Sequence, residues 1–221
     1  MSIDPSDIIY FEWHFVRITA TLVYTWITLA VLIIITLFVR MGIQKNGKLS
    51  KIQNVSEALL SVIDKQIKEI SQQDSSRYLP FVGTLFIFIF AANILSIIPG
   101  FISPTGSLNT TIALALCVFF AIPGYGIASR GVKEYLKEYT KPSVLMLPFN
   151  IIGEFSRVIS LAVRLYGNVM SSSIIVAILL GVIPLFFPAV IQMLGLLTGT
   201  IQAYIFSILA IVYIAAATKG K

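Results

Sequence analysis

The chain has 221 residues, 57% of them hydrophobic and only 12% charged, with a formal net charge of +6 and a mean hydropathy of +0.91. Soluble globular domains carry about 25% charged residues, so a water-soluble globule is excluded and lipid is the natural solvent. The single cysteine, Cys117, excludes an internal disulfide and a cysteine-based metal site. The basic residues cluster between apolar runs, where they report membrane topology rather than affinity for nucleic acid.

Residues 1–17 mix polar side chains with Tyr10, Phe11, Trp13 and Phe15, a composition suited to a membrane interface. The single histidine, His14, lies here, and one interfacial histidine by itself signals neither a ligand nor a proton carrier. Residues 18–39 carry no charge. About 20 apolar residues cross a bilayer, so this run predicts the first span. Arg40, Lys45, Lys48 and Lys51 follow as a basic patch. Over 51–73, apolar residues such as Ile52, Val55, Leu59, Ile63, Ile67 and Ile70 recur at helical spacing, with Glu57, Asp64, Lys65, Lys68 and Glu69 between them. That pattern predicts an amphipathic helix, too charged to span, lying on the surface or against partners.

From Tyr78 to Ala128 there is no charged residue, and the turn chemistry of 99–106 divides the run into two spans, 79–98 and 108–128. Arg130, Lys133, Lys137 and Lys141 then form a second basic loop with Glu134 and Glu138, closed by Pro142. Between Ser143 and Thr218 only Glu154, Arg157 and Arg164 are charged. Pro184 and Pro188 split that stretch into helices of 145–181 and 189–217, because proline breaks helix continuity. Both exceed a perpendicular crossing and are expected to tilt. Lys219 and Lys221 end the chain.

The segments 40–51, 130–141 and 219–221 are basic, while 99–108 and 182–188 are uncharged. The positive-inside rule therefore predicts five spans, with the N-terminus outside and the C-terminus in the cytoplasm. The expected fold is an all-α, multi-pass integral membrane protein. Residues 1–221 form a single membrane domain of about five embedded helices and one amphipathic surface helix.

Arg164 lies deep in an apolar helix, where a charge costs at least about 2.5–3.5 kcal/mol on insertion scales. Its guanidinium stays protonated, so it can attract, repel or pair with a carboxylate but cannot relay its own proton. Helical spacing places Arg157, Ser160, Asn168 and Ser171 on its face. Such a polar stripe faces protein or water rather than lipid. Gln202 lies in the middle of the last helix, where a buried amide needs a partner and Arg164 is a candidate. Glu154 and Arg157, at i and i+3, either pair with each other or leave Glu154 to line a polar vestibule. A secondary ion-coupled transporter with Arg164 in its substrate site is the rival reading, but paired broken helices and repeats are missing. An intramembrane enzyme lacks its residues too, since no aspartate follows Asp74. No catalytic group, metal site or cofactor site is expected.

Four segments carry a resemblance. Pro104-Thr-Gly-Ser-Leu-Asn109-Thr-Thr, Leu147-Pro-Phe-Asn150, Ser160-Leu-Ala-Val-Arg164-Leu-Tyr-Gly-Asn168 and Ile201-Gln-Ala-Tyr-Ile-Phe206 are similar, in sequence and order, to the signature segments of F-type ATP synthase subunit a. The N-terminal half is similar to the sodium-type branch of that family. The resemblance implies a non-catalytic stator subunit in a bacterial inner membrane. Its two long C-terminal helices would face a rotating ring of c subunits, and peripheral-stalk b subunits would be further partners. Two offset half-channels would carry protons or sodium ions to and from the ring carboxylates. Arg164 would be the stator arginine, Gln202 the glutamine beside it and Asn168 the asparagine one turn on. The chain departs from the family pattern at three places. Ser173 stands where many members have glutamate, Gly195 where some have a histidine or acid, and Ser107 where an aspartate is usual. A water or hydrated-ion path lined by Asn168, Ser171, Ser172 and Ser173 is expected in place of a titrating relay.

Overall fold

A computed structural model describes residues 9–13, 16–46, 51–71, 75–98, 100–139, 147–182 and 187–219. His14, Phe15, Lys48, Pro99, Lys141, Pro142, Pro184 and Lys221, all used above, lie outside the described residues. The chain is mostly helical. It opens on a hairpin of β1 (Ile9–Trp13) and β2 (Val16–Thr19), which pair antiparallel with Phe11 opposite Ile18 and Trp13 opposite Val16. Aromatic and β-branched residues favour extended backbone, so this interfacial segment forms strands and the first helix starts at Ala20 rather than at 18.

Among the described residues seven α-helices follow: α1 (Ala20–Asn46), α2 (Lys51–Ser71), α3 (Leu79–Leu95), α4 (Leu108–Arg130), α5 (Val132–Tyr139), α6 (Leu147–Val182) and α7 (Phe187–Lys219). Among the described residues, four of them are long and apolar enough to cross a membrane: 20–38 of α1, α4, most of α6 and most of α7. The apolar α3 is shorter. Pro80 sits in the first turn of α3, where its missing N–H breaks no helical bond. Gly131, at φ 84°, ends α4 and turns the chain into α5. That corner brings the Tyr135 ring over Gly126, where a Cβ would lie only 2.6 Å from it. Helix α5, within the basic loop, was not anticipated.

Helices α3, α4, α6 and α7 form the bundle, and α1 stands at its side. The core holds Ile89 from α3, Ala115 and Val118 from α4, Leu161 and Leu165 from α6, and Phe206, Ile211 and Ile214 from α7. Helix α2 lays Ile63, Ile67 and Ile70 toward α3 and α7 and leaves Lys65, Lys68 and Glu69 exposed. The Ile63, Ile67 and Ile70 part of its amphipathic stripe is thus covered by its own chain. Within the helices, hydroxyls satisfy themselves on the preceding turn, as Thr28 Oγ1 does on Tyr24 O (2.8 Å) and Ser207 Oγ on Ala203 O (3.0 Å). In a lipid environment, that local bonding removes the cost of an unpaired polar group.

The two ends of the bundle differ. At one end are Arg77, Arg130, Lys133 and Lys137. There Arg130 Nε donates to Thr218 O at 2.7 Å, and Tyr78 OH reaches Thr218 Oγ1 at 3.5 Å. At the other end, the described turn residues between α3 and α4 carry no charge, and the hairpin sets Glu12 opposite Arg17. A short 3-10 helix, Pro104–Gly106, is buried there against α1, α3, α4 and α6. Tyr24 OH donates to Gly100 O at 3.0 Å, and its ring meets Phe101 edge-on, which ties α1 to that loop. The first is the basic end of the bundle and the second, with no net charge, its neutral end.

Candidate functional site

Helix α6 runs from the basic to the neutral end and α7 returns. Arg164 lies 17 residues after Leu147 and 18 before Val182, at the middle of α6. The buried stripe of α6 is Val158, Leu161, Ala162, Leu165 and Val169, at spacings of three and four. Arg164 lies beside that stripe and points out of the bundle. It is exposed, and it has neither a hydrogen bond nor an ion pair among the described residues. Ser160 and Arg157 share its exposure, and Asn168 is half-buried one turn on. Exposed Phe155, Ile159 and Val163 surround them, giving an apolar outward face with one permanent cation at mid-height.

Two contacts set the register of α6 on α7. Near the neutral end, the Ser172 hydroxyl lies 2.9 Å from where a Cβ on Gly195 would stand. Near the basic end, the Arg157 guanidinium lies over the Tyr213 ring, 5.3 Å from its centroid. Moving from the first contact to the second goes back along α6 and forward along α7, as antiparallel helices require. Interpolation places Gln202 level with Tyr166, between Arg164 and Asn168. The residues singled out in sequence are therefore at one height, but they do not all share a face. Gln202 is turned into the bundle, 6% exposed, and its Nε2 has no hydrogen-bond partner among the described residues. The anticipated bond to Arg164 is not made. The physical reason is packing: the small and apolar neighbours Ala203, Phe206 and Ser207 bury this side of α7, while Leu165 buries the opposite side of α6.

Glu154 is half-buried one turn from Arg157, toward the basic end. Ser173 is exposed in the neutral half, and its hydroxyl donates back to Val169 O at 3.0 Å. Ser107, at the head of α4, is fully buried, and its Oγ has no partner among the described residues. Gly106 beside it meets Val169 of α6, so the buried turn abuts α6 one residue past Asn168. The Gly195 position also acquires a cause. A Cβ there would lie 2.9 Å from the Ser172 hydroxyl and 3.2 Å from its Cβ, so a titratable side chain needs Ser172 to shift, and glycine lets α6 and α7 approach without that shift.

Sequence reasoning did not single out Asn93, Gln192 or Tyr213. Asn93 is 4% exposed; its Nδ2 donates to Gly199 O at 2.9 Å, and a Cβ on Gly199 would lie 2.9 Å from its amide. Gln192 Nε2 donates to Ser96 O at 3.1 Å. An amide inside an uncharged run was the available signal for both. For Tyr213 the signal was its spacing, three helical turns after Gln202. Among the described residues, no three His, Cys, Asp or Glu side chains are grouped as a metal site would need.

Sequence similarity to known proteins extends over nearly the whole chain. The family profile described as ATP synthase A chain matches residues 22–215. A protein of Acaryochloris marina named ATP synthase subunit a 2 is 54% identical over 99% of this chain and 94% of its own. A protein of the same name from Picosynechococcus is 52% identical over 98% and 93%. ATP synthase subunit a of Albidiferax ferrireducens is 49% identical over 100% and 96%. The matched residues include the outward arginine of α6, the buried glutamine of α7 and the buried turn that abuts α6 at Val169, and the match places the chain in the ATP synthase A chain family.

Proposed function

We propose that the chain is the ion-conducting stator of a rotary ATP synthase and that Arg164 is its electrostatic stop. The observation that carries this reading is Arg164 itself: a permanent cation, exposed at the middle of a membrane helix, with no acid against it among the described residues. Such a charge is expensive in lipid. A carboxylate presented by a partner at the same depth satisfies it, and a ring of c subunits supplies one carboxylate after another. The apolar residues around Arg164 suit helices sliding past.

On this reading, two paths reach the carboxylate. One runs from the basic end past Glu154, Arg157 and Ser160. The other runs from the neutral end past Ser173, Ser172, Ser171 and Asn168. Arg164 stands between them and repels any cation that tries to pass straight through, while its field keeps the passing carboxylate ionised until it reloads. No Asp, Glu or His follows Glu154 in the sequence. Hydroxyls, the Asn168 amide and water therefore line the neutral path, which suits a hydrated cation or a proton carried by water. The ring carboxylate then selects between H+ and Na+. The chain itself makes and breaks no covalent bond.

The positive-inside rule puts the basic end in the cytoplasm of a bacterial inner membrane. At about 1.5 Å per residue, the 36 residues of α6 reach about 54 Å, well beyond a hydrocarbon layer of about 30 Å, so α6 and α7 lie tilted across the ring. The exposed faces of α1 and α2 are left for peripheral-stalk b subunits and lipid. Reconstitution separates this reading from an autonomous transporter. Vesicles holding the chain with its c ring should conduct the coupling ion, and vesicles holding the chain alone should not. Flux without the ring would overturn the stator reading.

Gln202 has a distinct part. Its Nε2 is a donor, as are all the guanidinium nitrogens, so Nε2 cannot bond Arg164 and needs an acceptor. A carboxylate arriving at the same height provides one once the amide turns outward from its buried position between α6 and α7. Gln202→Leu removes a buried, unpaired donor, whose desolvation costs about 1–3 kcal/mol. The variant complex should assemble at least as well as the parent. Ion-driven ATP synthesis should nonetheless fall about tenfold, the worth of one hydrogen bond to a charged group. Normal synthesis in reconstituted vesicles would remove Gln202 from the ion path.

A further inference from the structure

Arg157 is a second cation on the outward face of α6, two helical turns and about 10 Å from Arg164. It is exposed, and its one contact among the described residues is the face of Tyr213 on α7, with Cζ 5.3 Å from the ring centroid. Glu154, one turn away, does not hold it there. The π face of an aromatic ring attracts a guanidinium through its quadrupole without consuming the N–H donors. It therefore fixes where the charge stands and leaves it unneutralised.

Resting on the stator reading of Arg164, we propose that Tyr213 is a positioning residue: its ring holds Arg157 toward α7, so that a passing carboxylate meets one cationic stop and not two. The physics follows from the reach of arginine. Released from Tyr213, the Arg157 side chain can swing along the face of α6 toward Arg164. A carboxylate leaving Arg164 for the basic-end path then meets a second flexible cation, which pairs with it and delays both reloading and ring movement. Held on the ring, Arg157 stays at the side of that path. Tyr213 thereby shapes the step between the arginine stop and cytoplasmic release.

The test uses the complete synthase in vesicles and measures ion-driven ATP synthesis together with ATP-driven ion pumping. Tyr213→Phe keeps the π face and should retain both activities within about twofold, whereas Tyr213→Leu loses the contact and should lower both by about fivefold. Adding Arg157→Gln to Tyr213→Leu removes the wandering cation and should recover at least about half of the lost activity. Recovery on removing a charge is a result that a packing role for Tyr213 cannot produce. The proposal is overturned if Phe is as damaging as Leu, or if Arg157→Gln fails to improve the Leu variant. If Leu prevents assembly, Tyr213→Met takes its place at similar length without a ring. Failure of assembly with both, whatever stands at 157, assigns Tyr213 to packing and also overturns the proposal. Arg164→Ala in the same vesicles reports on the underlying stator reading separately, since that variant leaves the Arg157–Tyr213 contact in place.

Discussion

Arg164→Ala is expected to abolish ion-driven ATP synthesis in reconstituted vesicles while leaving the complex assembled. Arg164 is exposed and has no hydrogen bond or ion pair among the described residues, so its removal opens no gap in the bundle. The loss is electrostatic. Without the fixed charge, a carboxylate arriving from the ring keeps its ion, because nothing nearby favours the ionised form. A cation can then also pass between the two paths, so passive leakage should rise as synthesis disappears. Arg164→Lys keeps one charge but replaces a planar, weakly hydrated head with a compact ammonium, and synthesis should fall by at least about 100-fold, as lost positioning at a reacting centre can do. Contact with the carboxylate has to remain loose, since a fully desolvated pair would hold the ring in place. Synthesis at the normal rate in the alanine variant would show that the stop lies elsewhere.

Gly199→Val acts on assembly instead. A Cβ at this position would lie 2.9 Å from both Cγ and Nδ2 of Asn93, and valine adds two methyl groups to it. Asn93 is buried and cannot swing aside without giving up its bond to Gly199 O. Overpacking costs about 1–3 kcal/mol, and a stranded buried amide about 1–3 kcal/mol more. The variant should therefore reach the membrane in reduced amount and lose its fold several degrees earlier in detergent. Gly83→Ala, on the same helix as Asn93 and with nothing within 4 Å of its added methyl, is the control and should be at least as stable as the parent. Equal yield and thermal stability for Gly199→Val would mean that α3 and α7 are not held together at this point.

The helical, membrane-embedded class was legible because charge placement alone separates lipid-compatible runs from loops, and a 78–128 stretch without a single charge has no other use. The amphipathic character of α2 was equally plain, but the elements it packs against were not. Its stripe looks the same whether α7 or a foreign helix covers it. The hairpin was hidden because its two strands are short and no glycine marks a turn between them. At the site, Arg164 announced itself through the cost of its charge. The direction of Gln202 could not be read in the same way, because an amide's partner depends on which face of α7 meets α6. The pairing of Arg157 with Tyr213 depends on the register of two antiparallel helices, and residues 56 positions apart show no trace of that in sequence.

The bonds at the two ends of α7 bear on how the subunit carries load. Gln192 and the Asn93–Gly199 contact fasten α7 to α3 at the neutral end, while Arg130 and Tyr78 fasten its far end through Thr218. A beam clamped at both ends bends far less under a sideways push than one clamped at a single end. On the stator reading, drag from a rotor against α7 would therefore be passed to α3 and α4 as reaction force, with little bending of α7. The compliance that smooths the stepping of such a motor has to reside in other parts of the machine, and this subunit behaves as its rigid frame.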